Sequence, residues 1–391
     1  MSAQVDTPVD TTVLTWTRAH KGLVATYTIV HGAAEFFTAL TLFSMLTLWT
    51  NPGWKVFVYS SMAFGLPVFI ALGAHRWVLG KITEGQMGLA GAVLMGTGMM
   101  VGHFGWACVL LLGLGSAMIH IAAGTATLKL AKPGTAVGVF ESTGALGLAA
   151  GTVLGSGALS LIGTSPWIGL GALIVVAGGV AVLAWGSDRE FPGLAAAGFD
   201  TTRHPADRQD PVRSPRSEPQ LSLDSKTGLS ILALAALAII SVARTLMYFT
   251  TEQPWKVTPA LILIAASMVL LGRAIGGILT DIVGFVPTAI AGFIGTAVFF
   301  ALWPSATWAG LIALFCLSAT MAPIIVGLLA STRRPALAFG LAQFFQVPAG
   351  LTAGIFFSPW IIFATMILCG VLVLGLHPLD QRRSHANLGL Q

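Results

Sequence analysis

Few ionisable side chains in this sequence fall outside its polar segments, and they limit the chemistry open to it. His31 and Glu35 are four residues apart, so on a helix they lie one turn apart on one face, close enough to touch or share a proton. His120 stands midway along a second apolar run, Glu141 in the early third of another, and Arg244 in the outer half of a later one, with Tyr248 a turn further on. Gln343 and Gln346 add amide groups near the C-terminal end. An ionisable group in a membrane helix costs about 2.5–3.5 kcal/mol on insertion scales and faces a cavity or a partner. His31 and Glu35 therefore hold a coupling proton, touch a solute, or bond one helix to another. His120 has the same choices, or satisfies itself on a neighbouring carbonyl. Arg244 is the one strong cation in the predicted membrane core. It binds an anionic solute group, serves as counter-ion to Glu35 or Glu141, or snorkels outward. The glutamines line the cavity or tie helices together.

The elements that position these residues follow from composition. Of 391 residues, 55% are hydrophobic and 9% charged, with a mean hydropathy of +0.84. A water-soluble globule of that composition would lack polar side chains to cover its surface. Runs of roughly 20 apolar residues separated by short charged loops read as helices crossing a bilayer. The pattern predicts spans near 22–48, 54–75, 84–102, 106–130, 135–160, 165–186, 227–250, 257–279, 285–303, 307–330, 336–356 and 358–377. The division is a tail over 1–21, a six-helix bundle over 22–186, a polar segment over 187–226, a second bundle over 227–377, and a tail over 378–391. The segment 187–226 carries six bases among acids and prolines, a composition that favours a solvated, disordered linker.

On this map 17 of the 20 lysines and arginines lie on the side of the termini and the linker. The positive-inside bias then places both termini and the linker in the cytoplasm of a multi-pass inner-membrane protein. Residues 1–20 lack an apolar core followed by a small-residue cleavage site, so the first span is expected to act as an uncleaved insertion signal. The net charge of +5 comes from loops rather than one basic stripe, which argues against nucleic acid as a partner. Cys108, Cys316 and Cys369 lie far apart inside apolar runs and read as small buried hydrophobes, with neither a disulfide framework nor a closely spaced metal site suggested.

The two halves repeat. At an offset of 202 residues, Ser116-Ala117 matches Ser318-Ala319, Lys132-Pro133 matches Arg334-Pro335, Gly138 matches Gly340, and Glu141 aligns with Gln343. Val30 to Thr38 also matches Val242 to Thr250, at an offset of 212. Two parallel six-helix repeats describe the major facilitator architecture, in which the solute site lies between the halves near the bilayer midplane.

Between the eighth and ninth spans the sequence reads Gly272-Arg-Ala-Ile-Gly276-Gly-Ile-Leu-Thr-Asp281-Ile-Val-Gly284. This resembles the cytoplasmic loop signature of major facilitators, Gly-x-x-x-Asp-x-x-Gly, which implies a gating latch at Gly276, Asp281 and Gly284. Asp281 is suited to cap a helix N-terminus or pair with a base. The matching stretch between the second and third spans, Ala71 to Lys81, keeps a base and glycines but has no acid. A narrower resemblance, over about a quarter of the chain, is to the fosmidomycin-resistance group of exporters. It rests on His31-Gly-Ala-Ala-Glu35, Gly113-Leu-Gly115-Ser116-Ala-Met-Ile-His120, Phe140-Glu141-Ser-Thr-Gly144-Ala-Leu-Gly147-Leu-Ala-Ala-Gly151, and Arg244 with Tyr248. Ile121-Ala122 stands where that group has Pro-Glu after the histidine, and Glu141 where it has Gln.

No phosphate-binding Gly-x-x-x-x-Gly-Lys-Ser/Thr loop, His-Glu-x-x-His pair or Gly-x-Ser-x-Gly elbow is present, which disfavours an ATP-driven pump or a membrane hydrolase. The resemblance and the buried charges together imply a monomeric secondary transporter, not an enzyme, needing no cofactor. It would export a small polar or anionic solute in exchange for protons. Glu35, His31 and Glu141 would hold the proton, and Arg244, His120, Tyr248, Gln343 and Gln346 would meet the solute. The same sequence also allows an importer or facilitator of a small metabolite, or a non-transporting membrane scaffold.

Overall fold

The computed structural model describes residues 18–46, 49–77, 83–158, 170, 179, 223–250, 258–347 and 358–381. Most of the predicted sixth span and of the predicted linker lies outside the described residues. The first half supplies α1 (Arg18–Met45), α2 (Pro52–Trp77), α3 (Glu84–Met100), α4 (Gly105–Leu128) and α5 (Pro133–Val153), the last running into a π-helical turn over Leu154–Ala158. The second half supplies α6 (Leu223–Thr250), α7 (Pro259–Val283), α8 (Phe285–Leu302), α9 (Thr307–Ala319), α10 (Met321–Thr332), α11 (Pro335–Phe344) and α12 (Pro359–Leu374). Seven spans among the described residues are helices long and apolar enough to cross a membrane.

Helix starts are written locally. Thr83 and Gln86 form a reciprocal capping box at α3, the hydroxyl accepting from Gln86 N at 3.2 Å and the amide oxygen from Thr83 N at 3.0 Å. Thr258 and Ser358 cap α7 and α12, each followed by a proline in the first turn. Pro133 and Pro335, matched in the repeat, open α5 and α11. Hydroxyls inside the helices return to carbonyls four residues back, as Thr28 does to Val24, Ser241 to Leu237 and Thr296 to Gly292, which leaves little polarity to face lipid. Large apolar side chains such as Ile29, Phe69, Leu232, Ile282 and Val371 are exposed, as a lipid-facing surface requires.

The predicted tenth span, 307–330, is one apolar crossing over Thr307–Thr332, interrupted for a single residue at Thr320 between α9 and α10. Pro323 lacks an N–H, and its ring crowds the carbonyl four residues earlier. The chain tightens at Thr320, whose N–H and hydroxyl both turn to Leu317 O, at 3.3 and 2.6 Å. Beyond α12 a further helical turn covers 377–381, inside the predicted tail.

Small residues let helices approach along whole faces. Within the first half α5 lies on α1, and a Cβ at Gly147 or Gly151 would collide with the backbone carbonyl of Gly32 or Phe36. Between the halves α5 lies on α7 and α11 on α2. Gly138 of α5 sits against Gly277 and the Arg273 carbonyl, and its repeat partner Gly340 sits against Pro67 and Val68 of α2. Such paired crossings are what two repeats related by a two-fold axis produce. They meet at the end where α2, α4 and α7 finish and α5 and α11 begin. There Phe140 and Phe339 join one buried core with residues of both halves.

Candidate functional site

His31, Glu35 and His120 come together in the first half. His31 Nε2 lies 3.1 Å from His120 Nε2, and His120 Nε2 lies 3.5 Å from Glu35 Oε1. All three residues are buried. His31 Nδ1 is 2.9 Å from the Phe140 carbonyl, and His120 Nδ1 is 2.8 Å from the Ser116 carbonyl. A carbonyl only accepts, so each Nδ1 donates, and each Nε2 presents its lone pair inward. The His31 ring is held between α5 and α4: it stacks on Phe140 with centroids 4.5 Å apart and meets His120 edge-on at 4.8 Å. Gly144 makes room for it, since a Cβ there would strike the imidazole. His120, rather than His31, thus meets the Glu35 carboxylate directly.

Glu141 belongs to a second cluster, between the halves. Arg273 Nη1 of α7 donates to Glu141 Oε2 at 3.2 Å and to the Glu141 backbone carbonyl at 2.7 Å. Gln343 Nε2 of α11 donates to Glu141 Oε1 at 3.0 Å, and Gln346 Nε2 donates to Gln343 Oε1 at 2.9 Å. Glu141 is buried. Its cation is Arg273, which the loop signature had assigned to the end of a span; Arg244 is therefore joined by a second strong cation inside the bundle. The signal for Arg273 was its place on α7 eleven residues before Gly284, deep enough to be enclosed once α5 packs on α7.

Arg244 is buried on α6, with Nη2 2.8 Å from the Met321 sulfur, which the break at Thr320 brings into reach. The side chain of Tyr248 lies outside the described residues. At the closed end Asp281 joins the halves by accepting from Gly134 N at 3.1 Å and Thr135 N at 2.6 Å, the first amides of α5. Gly276 packs on the end of α9 at Ala319, and Gly284 makes the turn into α8 with φ 101°. Asp380, placed in the tail by the sequence reading, accepts from Phe285 N at 3.2 Å and Val286 N at 3.1 Å at the start of α8. Among the described residues, Cys108 and Cys369 are buried and all three cysteines are free.

The backbone resembles solved membrane transporters over nearly its whole length. It matches the proton:xylose symporter XylE with a TM-score of 0.60 at 15% identity, over 90% of this chain and 95% of that one. The chain has the major facilitator fold. A bacterial homologue of the iron transporter ferroportin in its outward-facing state matches at 0.55 and 12% identity, over 93% of this chain and all of that one. The transporter FucP in the outward conformation matches at 0.51 and 15%, over 91% and 97%. No protein-family model and no curated protein matches the sequence. The crossings of α5 on α7 and of α2 on α11 are contacts between the two halves, so the Glu141 and Asp281 clusters sit between them.

Proposed function

We propose that this protein is a secondary transporter that moves a small polar or anionic solute by alternating access of its two bundles, coupled to protons, with both termini in the cytoplasm. The observation that carries the reading is the buried line of His31, His120 and Glu35. Two imidazole lone pairs facing each other at 3.1 Å repel unless a cation lies between them. A proton shared by the Nε2 atoms and handed to the carboxylate 3.5 Å away satisfies that geometry. Among the described residues, Tyr59 of α2, Glu141 of α5 and Arg273 of α7 are the other titratable or charged groups near the line, so its charge answers to the crossing of α5 on α7.

Asp281 on the α5 amides, with Arg273 and Gln343 on Glu141, holds the bundles together at one end. Breaking these contacts is what opening that end requires. In this reading Arg244 on α6, Gln343 near the end of α11 and Gln346 in the turn after it meet the solute, the arginine selecting for negative charge. Export is the direction implied by the resemblance of α1, α4, α5 and α6 to fosmidomycin-resistance exporters.

The test is reconstitution into liposomes with an imposed pH gradient and a panel of phosphonates, organic anions and common metabolites. Accumulation of one compound that collapses with a protonophore is expected. No gradient-dependent flux of any of them, with the protein folded, would reject the reading.

A further inference from the structure

We infer that His31, Glu35 and His120 also form a binding site for a divalent transition-metal cation of the zinc class. The site uses the same residues as the proposed proton line but does not depend on transport, so each reading can fail without the other.

Each residue offers one ligand atom, and the three atoms lie within 4.8 Å of one another. A tetrahedral zinc ion with ligands at about 2.0–2.1 Å needs ligand atoms about 3.3 Å apart. The separations of 3.1 Å between the imidazole nitrogens and 3.5 Å from His120 to the carboxylate bracket that value. The third edge, from His31 Nε2 to the Glu35 carboxylate, lies within 4.8 Å, so binding requires the carboxylate to turn inward about its own side-chain bonds.

Two further features are those of a built site. Both imidazoles are oriented through Nδ1 by backbone carbonyls, Phe140 O on His31 and Ser116 O on His120, which fixes the tautomer that ligates through Nε2. The Phe140 stack and the space left by Gly144 lock the His31 ring in place. The donor set of two imidazoles and one carboxylate leaves one coordination position free, the composition of an exchangeable site rather than a closed structural one. Nitrogen and carboxylate donors favour zinc, cobalt, nickel or copper ions over calcium or magnesium. Arg273 already balances Glu141, so Glu35 is the carboxylate left to offset the ion. Burial of all three ligands keeps water from competing at every position. The metal and the shared proton compete for the same lone pairs, so binding releases a proton.

The experiment titrates the purified full-length protein, without an affinity tag, with cobalt(II) chloride in detergent and reads the visible spectrum. Zinc chloride calorimetry is run alongside. The expected result is one equivalent of cobalt with the intense bands of tetrahedral coordination, displaced by zinc, and two imidazoles in the X-ray absorption fine structure. Glu35→Gln and His120→Gln should each weaken binding by more than about 100-fold, beyond the loss that follows from removing an outer-shell partner. His103→Gln, on the loop before α4, should bind as the wild type does. A weak octahedral spectrum, no binding below millimolar metal, or unchanged affinity in folded Glu35→Gln would overturn the site. The wild-type spectrum decides the matter even where a variant does not fold.

Discussion

Glu141 and Gln343 stand 202 residues apart, the offset of the internal repeat, and they touch: Gln343 Nε2 donates to Glu141 Oε1 at 3.0 Å. Residues related by a two-fold axis can meet only beside that axis. The pair therefore marks the line about which the bundles are related, and Arg273 reaches it from α7. One repeat partner is a carboxyl group and the other an amide, so one carboxyl faces one arginine across the junction.

That pairing predicts non-additive mutations. Glu141→Gln and Arg273→Gln each leave a largely buried charge without its partner, which costs about 3–5 kcal/mol. The double variant removes both charges and should melt above either single variant in detergent. Strictly additive losses in melting temperature would show that the two side chains do not depend on each other.

Asp281 holds the α5 N-terminus from the other bundle, through Gly134 N and Thr135 N. Asp281→Ala should weaken the closed end by about 0.5–2 kcal/mol, whereas Asp281→Asn keeps an acceptor oxygen and should be milder. Thiol labelling of a cysteine introduced at Thr135 reads the opening. Equal labelling in both variants and the wild type would remove Asp281 from the latch.

Glu35→Gln should abolish gradient-driven accumulation of solute while leaving exchange down a concentration gradient partly intact, because the cavity survives loss of the carboxylate. Glu141→Gln is the comparison. Should Glu35→Gln still concentrate solute as the wild type does while Glu141→Gln does not, the proton belongs to α5.

The α1–α5 contact distinguishes one glycine from another. A Cβ at Gly147 runs into the Gly32 carbonyl, whereas one at Gly65 finds only Val347 at 3.6 Å. Gly147→Ala should destabilise by about 1–3 kcal/mol through overpacking. Gly65→Ala should be neutral or stabilise by up to about 1 kcal/mol, since alanine favours the helix. Calorimetric melts of the two variants, in the same detergent, compare them directly.

Reporter fusions check the orientation. A fusion at residue 205 and fusions at both termini should report from the cytoplasm, given where 17 of the 20 lysines and arginines fall. A reporter at 205 that is active outside would invert the map.

The sequence by itself determined the apolar helices, their order and their repeat, because each signal is local: span length, a capping threonine, a proline at a first turn, an offset that recurs. It also singled out His31, Glu35, His120, Glu141 and Arg244, since charge inside an apolar run is visible without any fold. It gave the tenth span as one crossing but not the one-residue turn at Thr320 within it. Pro323 was there to be read, but whether a membrane proline bends or breaks a helix depends on who satisfies the freed carbonyl. Only the tertiary structure decided the partners. It turned His31 toward His120 rather than Glu35, gave Glu141 to Arg273, placed Met321 on Arg244 and set Asp380 on α8. These pairings join residues 77 to 132 positions apart, and farther still for Glu141 with Gln343. The Glu141–Arg273 pairing exists because a glycine face lets α5 close on α7, and no periodicity along one helix records which neighbour will close on it.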